Sequence, residues 1–247
     1  MIDENLRHEW PLILAYHSIS DWRADPVAVP VDSFESQMRW LQRHAYRSIT
    51  LKQFLNESIR PGERIVILTF DDGFADNYTQ TFPILKRLGM TATIFLISNY
   101  FNPGYSVSED DPPRLSRSQI LEMQAYGIEF GSHTCSHRAL TRISEEERWD
   151  EISRSRQDIE AQIGTAVATF SYPKGQLDDQ TIQMVERAGY QGAVVTPTRS
   201  GIPLSRYTLR RVGIYQHNNK PLAFQLKIHP LARRFQRLMR DRRSLMA

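Results

Sequence analysis

The sequence contains a single cysteine, Cys135, among its 247 residues. No intramolecular disulfide can form, so nothing in the composition indicates an oxidising compartment. The chain also lacks any apolar run approaching the roughly 18–20 residues that a membrane-spanning helix needs. Its N-terminus, MIDENLRHEW, is polar and does not resemble a secretory signal. We therefore predict a cytoplasmic protein.

Over most of the chain, basic residues do not outnumber acidic residues. Residues 221–247 hold seven of the 31 Lys and Arg residues and one of the 28 acidic residues. The first 220 residues thus contain 24 basic and 27 acidic side chains, and we expect no nucleic-acid partner. The sequence gives no indication of an oligomeric state.

The basic tail has its own pattern. Within Leu231–Arg243, apolar residues share one helical face and arginines surround them. We predict a barrel domain over residues 1–220 and a basic amphipathic segment over residues 221–247. This segment either lies peripherally on the inner, anionic face of a membrane or docks on the domain as an ordinary helix.

Short runs rich in β-forming residues alternate with segments of helical periodicity. The predicted helices include Asn77–Leu88, Ser116–Tyr126, Ser144–Ile163 and Asp179–Ala188, each of which stops at a glycine. Helices that stop at a glycine before an apolar strand are typical of repeated βα units. Seven such units favour an α/β fold with a closed or nearly closed barrel, and a doubly wound open sheet is the alternative. The predicted strands are Leu12–Tyr16, Arg47–Thr50, Ile65–Thr69, Thr91–Ile97, Ile128–Phe130, Ala166–Ser171 and Gly192–Thr196.

Two adjacent carboxylates, Asp71 and Asp72, follow the predicted strand Ile65–Thr69 in the stretch TFDDGF. Asp and Gly are common turn residues, so a simple turn is one interpretation. Neighbouring carboxylates at a strand end repel each other, however, unless a cation or a proton separates their functions. The pair therefore favours a functional site.

Two histidines, His133 and His137, follow the predicted strand Ile128–Phe130 in the stretch GSHTCSH. Their spacing of four residues allows both imidazoles to reach one ion, although a structural pair is equally compatible with the spacing. The carboxyl ends of neighbouring parallel strands meet at one edge of a sheet. One aspartate and both histidines would then form a three-ligand metal site, and the other aspartate would be free to act as a base.

These two motifs resemble those of the polysaccharide deacetylases, a family of carbohydrate esterases that includes poly-N-acetylglucosamine deacetylases. The resemblance rests on TFDDG at Thr69–Gly73, HTCSH at His133–His137 and SYPKG at Ser171–Gly175, and it extends over Leu12–Ile214. It implies a distorted (β/α)7 barrel in a single domain and metal-dependent hydrolysis of the N-acetyl group of an amino sugar. The expected substrate is a polysaccharide, an oligosaccharide or a lipid-linked glycan.

The resemblance also implies individual functions. Asp71 matches the catalytic base, and Asp72, His133 and His137 match the ligands of a divalent metal. Zinc is the expected ion, with Co²⁺, Ni²⁺ and Mn²⁺ as alternatives. The metal would polarise the acetamide carbonyl and activate water, and a backbone N–H would help to hold the oxyanion.

Two positions depart from the family pattern in the third motif. Ser171 stands where the family has an arginine that orients the catalytic aspartate, and Lys174 stands where it has a tyrosine whose backbone N–H faces the oxyanion. The backbone N–H of Lys174 can still serve. Arg211, in LRRVG, is our candidate for the missing positive charge, and an ordinary surface arginine is the alternative.

The histidine that would protonate the leaving amine is also displaced. The family motif near the C-terminus is not recognisable, and His217 lies in the polar stretch YQHNNK. His17 instead follows the first predicted strand in ILAYHSIS, as in the branch that resembles poly-N-acetylglucosamine deacetylases. We therefore predict that His17 is the acid.

Substrate contacts are less specific in the sequence. Tyr172 is a candidate for stacking on a sugar ring, as are Tyr100, Phe101 and Tyr105, and packing in the core or in a loop explains them equally well. Two other functions stay open at this point. One is deformylation or another amide hydrolysis on the same fold, and the other is carbohydrate binding without catalysis.

Overall fold

The computed structural model describes residues 11–21, 25–60, 62–102, 104–105, 108, 111–196, 204–218 and 220–229. Its strands are short and parallel, and helices cover them on the outside. The strands are β1 (Leu12–Tyr16), β2 (Arg47–Ser48), β3 (Ile65–Phe70), β4 (Thr93–Leu96), β5 (Glu129–Ser132), β6 (Thr169–Ser171), β7 (Gly192–Val195), β8 (Leu209–Arg210) and β9 (Val212–Gly213). The helices are α1 (Val31–Arg43), α2 (Leu51–Asn56), α3 (Phe82–Arg87), α4 (Arg117–Tyr126), α5 (Glu145–Ile163), α6 (Asp179–Arg187) and α7 (Pro221–Ile228).

The ring of strands closes through one short segment, Leu209–Gly213. Its first part, β8, pairs with β7, and its second part, β9, pairs with β1. Arg211 lies between the two parts, where the segment changes its pairing neighbour. The strand order around the sheet is β8-β7-β6-β5-β4-β3-β1-β9. The fold is therefore a distorted (β/α)7 barrel in a single domain, which confirms the predicted fold class.

One predicted strand lies outside this ring. Arg47–Thr50 is shortened to β2, which pairs with the first residues of β3. Strand β4 pairs with the last residues of β3 along the same edge. The strand stops at Ser48 because Thr50 is already the N-cap of α2, where its side chain accepts a hydrogen bond from the backbone of Gln53. The seventh ring strand is thus Leu209–Gly213, which was not predicted.

A second difference concerns the predicted helix Asn77–Leu88. It consists of one wide π-helical turn, Asn77–Thr81, followed by the short helix α3. Pro83 lies at the start of α3 and has no N–H to donate to the preceding turn, which explains the change in winding.

Side chains alternate between the two faces of the barrel wall. Along β3, Ile65 and Ile67 point into the barrel interior, where they pack with Ile13 of β1 and Phe95 of β4 in a small apolar core. Residues of α2 also belong to that core. The alternate residues Leu12, Leu14 and Tyr16 of β1 face the larger core between the barrel and its helices.

The chain after the predicted boundary at residue 220 begins with a packed helix. Helix α7 lies against α1, with Phe224 1% exposed and its ring 6.1 Å from that of Trp40. The start of the predicted basic amphipathic segment, 221–247, therefore packs on the outer layer of the barrel. Residues 230–247, which include Leu231–Arg243, lie outside the described residues. Among the described residues, no helix is both long and apolar enough to cross a membrane.

Candidate active site

All the predicted site residues lie at one end of the barrel, at or just beyond the carboxyl ends of the strands. This is where ligands bind in parallel α/β barrels. His17 follows β1, Asp71 and Asp72 follow β3, His133 and His137 follow β5, Tyr172 and Lys174 follow β6, and Arg211 lies between β8 and β9.

A buried ion pair forms the floor of the site. Arg211 donates from Nη1 to Oδ1 of Asp71 at 2.7 Å and from Nη2 to Oδ2 at 2.6 Å. The side chains are 2% and 4% exposed, respectively, so this bidentate pair is shielded from water. Asp71 continues the alternation of Ile65, Ile67 and Thr69, so a polar layer lies directly above the small apolar core.

Two hydroxyl groups complete this polar layer. Arg211 Nη2 donates to Ser171 Oγ at 3.0 Å, and Ser171 Oγ donates to Asp71 Oδ1 at 3.1 Å. Arg211 Nη1 also donates to Thr69 Oγ1 at 3.1 Å. Ser171 thus leaves room for an arginine that arrives from a different strand. Arg211 is not the surface arginine of the alternative interpretation.

The ion pair determines the protonation of Asp71. Burial by itself would raise the pKa of this carboxyl group. The charge of Arg211, helped by its hydrogen bonds and by the nearby His133 and His17, outweighs burial and holds the pKa well below the usual value. Asp71 is therefore ionised at neutral pH.

Asp72, His133 and His137 converge beside this pair. One potential ligand atom from each lies within 4.8 Å of the others. Asp72 Oδ1 is 3.7 Å from Nε2 of His133 and 3.7 Å from Nε2 of His137. Ligands of a tetrahedral zinc ion are about 3.4 Å apart, given bonds of about 2.0–2.1 Å. The spacing therefore fits one metal ion.

Two further observations support a cation at this point. Asp72 Oδ1 is buried and has no hydrogen-bond partner within the described residues. An unsatisfied buried carboxylate oxygen is costly, and a cation would satisfy it. His133 Nδ1 lies 2.7 Å from the carbonyl oxygen of Ser171. Because a carbonyl only accepts, Nδ1 carries a proton, and Nε2, 3.7 Å from Asp72 Oδ1, is the nitrogen directed at the candidate metal position.

His137 is also poised to act as a ligand. Burial, together with the neighbouring His133, lowers the pKa of His137 to about 4. The imidazole is therefore neutral at neutral pH, which is the form that binds a metal.

The backbone at the site is strained. Five non-glycine residues have a positive φ within the described residues, and four of them are here: Asp72 (71°), Thr134 (70°), His137 (59°) and Lys174 (57°). Such conformations are disfavoured for residues with a Cβ atom and concentrate at functional sites. Gly73, beside Asp72, has a φ of 64°, which favours glycine, and a Cβ there would also press on the side chain of Leu96 at 2.6 Å.

His17, at the end of β1, lies beside Asp71. Its Nε2 is 3.9 Å from Asp71 Oδ2, and its side chain is 18% exposed. The same oxygen is 4.0 Å from His133 Nε2. Asp71 Oδ2 therefore faces both the predicted acid and the candidate metal ligands. His217, the alternative acid, lies in a short helical turn, Gln216–Asn218, beyond β9.

The two predicted residues of the third motif, Lys174 and Tyr172, differ in their exposure. Lys174 is exposed at the rim, and its charge contributes to lowering the pKa of His137. The expectation that Tyr172 contacts a sugar ring is wrong for its side chain. That ring is 1% exposed and packs edge-on against Phe170 at 5.2 Å, because Tyr172 faces the helix layer and not the mouth of the barrel.

Sequence reasoning missed three residues around His17. Asn77 donates from Nδ2 to the carbonyl oxygen of His17 at 2.9 Å, and Asp76 Oδ1 accepts from the backbone of Ile19 at 3.1 Å. The ring of Tyr215, in the stretch dismissed as a polar loop, is 6.1 Å from that of His17. The only sequence signal for Asp76 and Asn77 was their position shortly after the DDGF motif.

Comparisons with known proteins agree on one family. The family model for polysaccharide deacetylase matches residues 58–193. The Bacillus subtilis protein YxkH, which bears the name of a polysaccharide deacetylase, is 33% identical over 206 residues, covering 82% of this chain and 70% of YxkH. The poly-β-1,6-N-acetyl-D-glucosamine N-deacetylase of Staphylococcus epidermidis is 29% identical over 175 residues, covering 66% of this chain and 60% of that protein.

Solved structures show the same similarity. The Streptococcus pyogenes deacetylase PplD, solved in complex with acetate, superimposes with a TM-score of 0.76 at 26% identity, covering 90% of this chain and 100% of that one. A Bacillus cereus polysaccharide deacetylase superimposes with a TM-score of 0.74, also at 26% identity, covering 90% of this chain and 69% of that one. From its motifs, barrel and relatives, the chain belongs to the polysaccharide deacetylase family and is a metal-dependent carbohydrate N-deacetylase.

Proposed function

We propose that the protein hydrolyses the acetamide of N-acetylglucosamine units in a glycan, with Asp71 as base and His17 as acid. The observation that carries the proposal is the contact between two arrangements: the buried Asp71–Arg211 pair and the cluster of Asp72, His133 and His137. A β-1,6-linked N-acetylglucosamine polymer is the first substrate to test, since it is named for the staphylococcal relative.

Asp72, His133 and His137 would hold the divalent ion, for which zinc is the first choice. When bound, such an ion polarises an acyl carbonyl and lowers the pKa of water towards about 7. Three protein ligands leave positions open for the reactants, as in other catalytic zinc sites.

Asp71 would accept the proton of the attacking water. Arg211 binds both of its oxygens and fixes the plane of the carboxylate, and Oδ2 faces His17 and His133. Arg211 also keeps Asp71 ionised, so the base is in its active form before the substrate binds. In this view Arg211 replaces the arginine that the third motif lacks.

His17 would donate a proton to the nitrogen as the C–N bond breaks. Water supplies the hydroxyl group that leaves with the acetyl carbon as acetate, and the sugar retains a free amine. His17 Nε2 lies 3.9 Å from Asp71 Oδ2, so the proposed acid and base border the same part of the site. The backbone N–H of Lys174, at the rim, is the proposed donor to the oxyanion.

The test is acetate release from β-1,6-linked N-acetylglucosamine oligomers by the purified protein. We expect release to stop after treatment with EDTA and to return when zinc or cobalt is added. If zinc binds stoichiometrically and neither acetate nor free amine is formed, the proposed substrate is wrong. Formate release from an N-formylated sugar under the same conditions would favour the deformylase alternative.

A further inference from the structure

Helix α5 places a carboxylate on the side that faces the barrel. Its buried positions follow helical spacing and include Arg148, Ile152, Ser155 and Ile159. Glu151 belongs to the same buried stripe and is only 7% exposed. A glutamate is unusual at such a position, because removing its charge from water is costly unless it is compensated.

Both oxygens of Glu151 contact one residue, Ser136. The backbone N–H of Ser136 donates to Oε2 at 2.9 Å, and its hydroxyl group donates to Oε1. Glu151 forms no ion pair within the described residues. Both carboxylate oxygens of Glu151 therefore bind the turn between His133 and His137.

This turn needs external support. Thr134 and His137 both have a positive φ, at 70° and 59°, so the conformation is unfavourable for the turn by itself. Helix α5 also contacts the turn region elsewhere: Ser155 Oγ lies 2.7 Å from Ser132 Oγ, and the Cys135 thiol lies 3.7 Å from the carbonyl oxygen of Asp150 and also interacts with the guanidinium of Arg154. Of these contacts, only that of Glu151 holds a backbone N–H of the turn.

We infer that Glu151 is a positioning residue that holds the His133–His137 turn in the conformation that binds metal. The inference rests on the metal site proposed above and deepens it. Glu151 contacts neither imidazole. It fixes the backbone N–H that precedes His137, and thereby the direction in which Nε2 of His137 points. Residues that support metal ligands in this way commonly affect metal affinity by about 10–100-fold.

The experiment measures the zinc dissociation constant by competition with a chromophoric chelator, together with the absorption spectrum of the cobalt-loaded protein. We expect Glu151→Ala to weaken zinc binding roughly tenfold or more and to alter the cobalt spectrum. Glu151→Gln should restore affinity, because its amide oxygen can accept from Ser136 N–H while its NH₂ group donates to Ser136 Oγ.

Glu160 provides the matched control on the same helix. It accepts hydrogen bonds from Arg156 and from the backbone of Val167, on the far side of α5 from the site. Glu160→Ala should lower stability towards urea and leave the zinc dissociation constant unchanged. If Glu151→Ala does not fold, Ser136→Ala removes the hydroxyl contact alone and should weaken zinc binding less, in the same direction.

Zinc affinity equal to that of the wild type in folded Glu151→Ala, or in Ser136→Ala where only that variant folds, would overturn the inference and leave the proposed metal site intact. Affinity in Glu151→Gln as weak as in Glu151→Ala would also overturn it, since both hydrogen bonds survive in the glutamine variant. If the wild-type protein binds no zinc, the proposed metal site is itself wrong.

Discussion

Arg211 and Asp71 show, at the scale of residues, how a buried charge is tolerated in this barrel. Both Asp71 oxygens and the Nη1 and Nη2 atoms of Arg211 have partners, and the two side chains are 4% and 2% exposed, respectively. Removal of one member of such a pair leaves the other charge buried and uncompensated, which typically costs 3–5 kcal/mol. The pair therefore has a structural effect that is separable from its proposed function.

We predict that Arg211→Gln lowers the free energy of unfolding by about 3–5 kcal/mol in urea denaturation. Arg138→Gln is the control, because Arg138 pairs with Glu147 at the surface, where both side chains are 47% exposed. That change should cost at most about 1 kcal/mol. Equal losses in the two variants would show that the Asp71–Arg211 pair is not buried as described.

The choice of acid gives a second prediction for single residues. His17→Gln should lower kcat about 100-fold or more, with KM and zinc affinity little changed, because His17 acts only in the proton transfer. His217→Gln should retain nearly full activity. Steady-state kinetics on the same oligomer decides between them, and a large loss of kcat in His217→Gln alone would reverse the assignment.

Much of the site could be predicted from residues that are close together in the sequence. Asp71 with Asp72 and His133 with His137 stand in short motifs at strand ends, and the structure brings them together as expected. Arg211 could be named only as a candidate, since its contact with Asp71 spans 140 residues. Glu151 was not identified, because none of the residues near it in the sequence indicates that its helix faces the histidine turn.

At the scale of elements, helix ends were predicted better than short strands. Ser144 and Ser116 cap α5 and α4 with reciprocal side-chain bonds, and Gly127 and Gly164 end these helices in left-handed conformations. These signals are local and follow from side-chain chemistry. Strands β8 and β9 have two residues each, too few to show any periodicity, and only their pairing with β7 and β1 defines them.

The cap of α5 gives a prediction for an element. Ser144 accepts a hydrogen bond from the backbone of Glu147, so Ser144→Ala should lower the free energy of unfolding by about 1 kcal/mol. Ser153 lies inside the same helix, and Ser153→Ala should be neutral or slightly stabilising because alanine favours helix. Urea denaturation of both variants tests this, and an equal effect would contradict the assigned cap.

At the scale of the whole molecule, barrel closure is what assembles the site. The segment Leu209–Gly213 joins β7 to β1 and carries Arg211 to Asp71, while β3 and β5 bring the aspartates and histidines to the same mouth. Neighbouring aspartates can then have different functions. Asp71 faces Arg211 and His17, whereas Asp72 faces His133 and His137.

This division of function between Asp71 and Asp72 is the central claim, and one paired measurement tests it most directly. Zinc content and acetate release are determined on the same preparations of wild type, Asp71→Asn and Asp72→Asn. We predict that Asp71→Asn retains zinc and loses turnover, and that Asp72→Asn loses both. Turnover near the wild-type rate in Asp71→Asn, or full zinc occupancy in Asp72→Asn, would contradict the account.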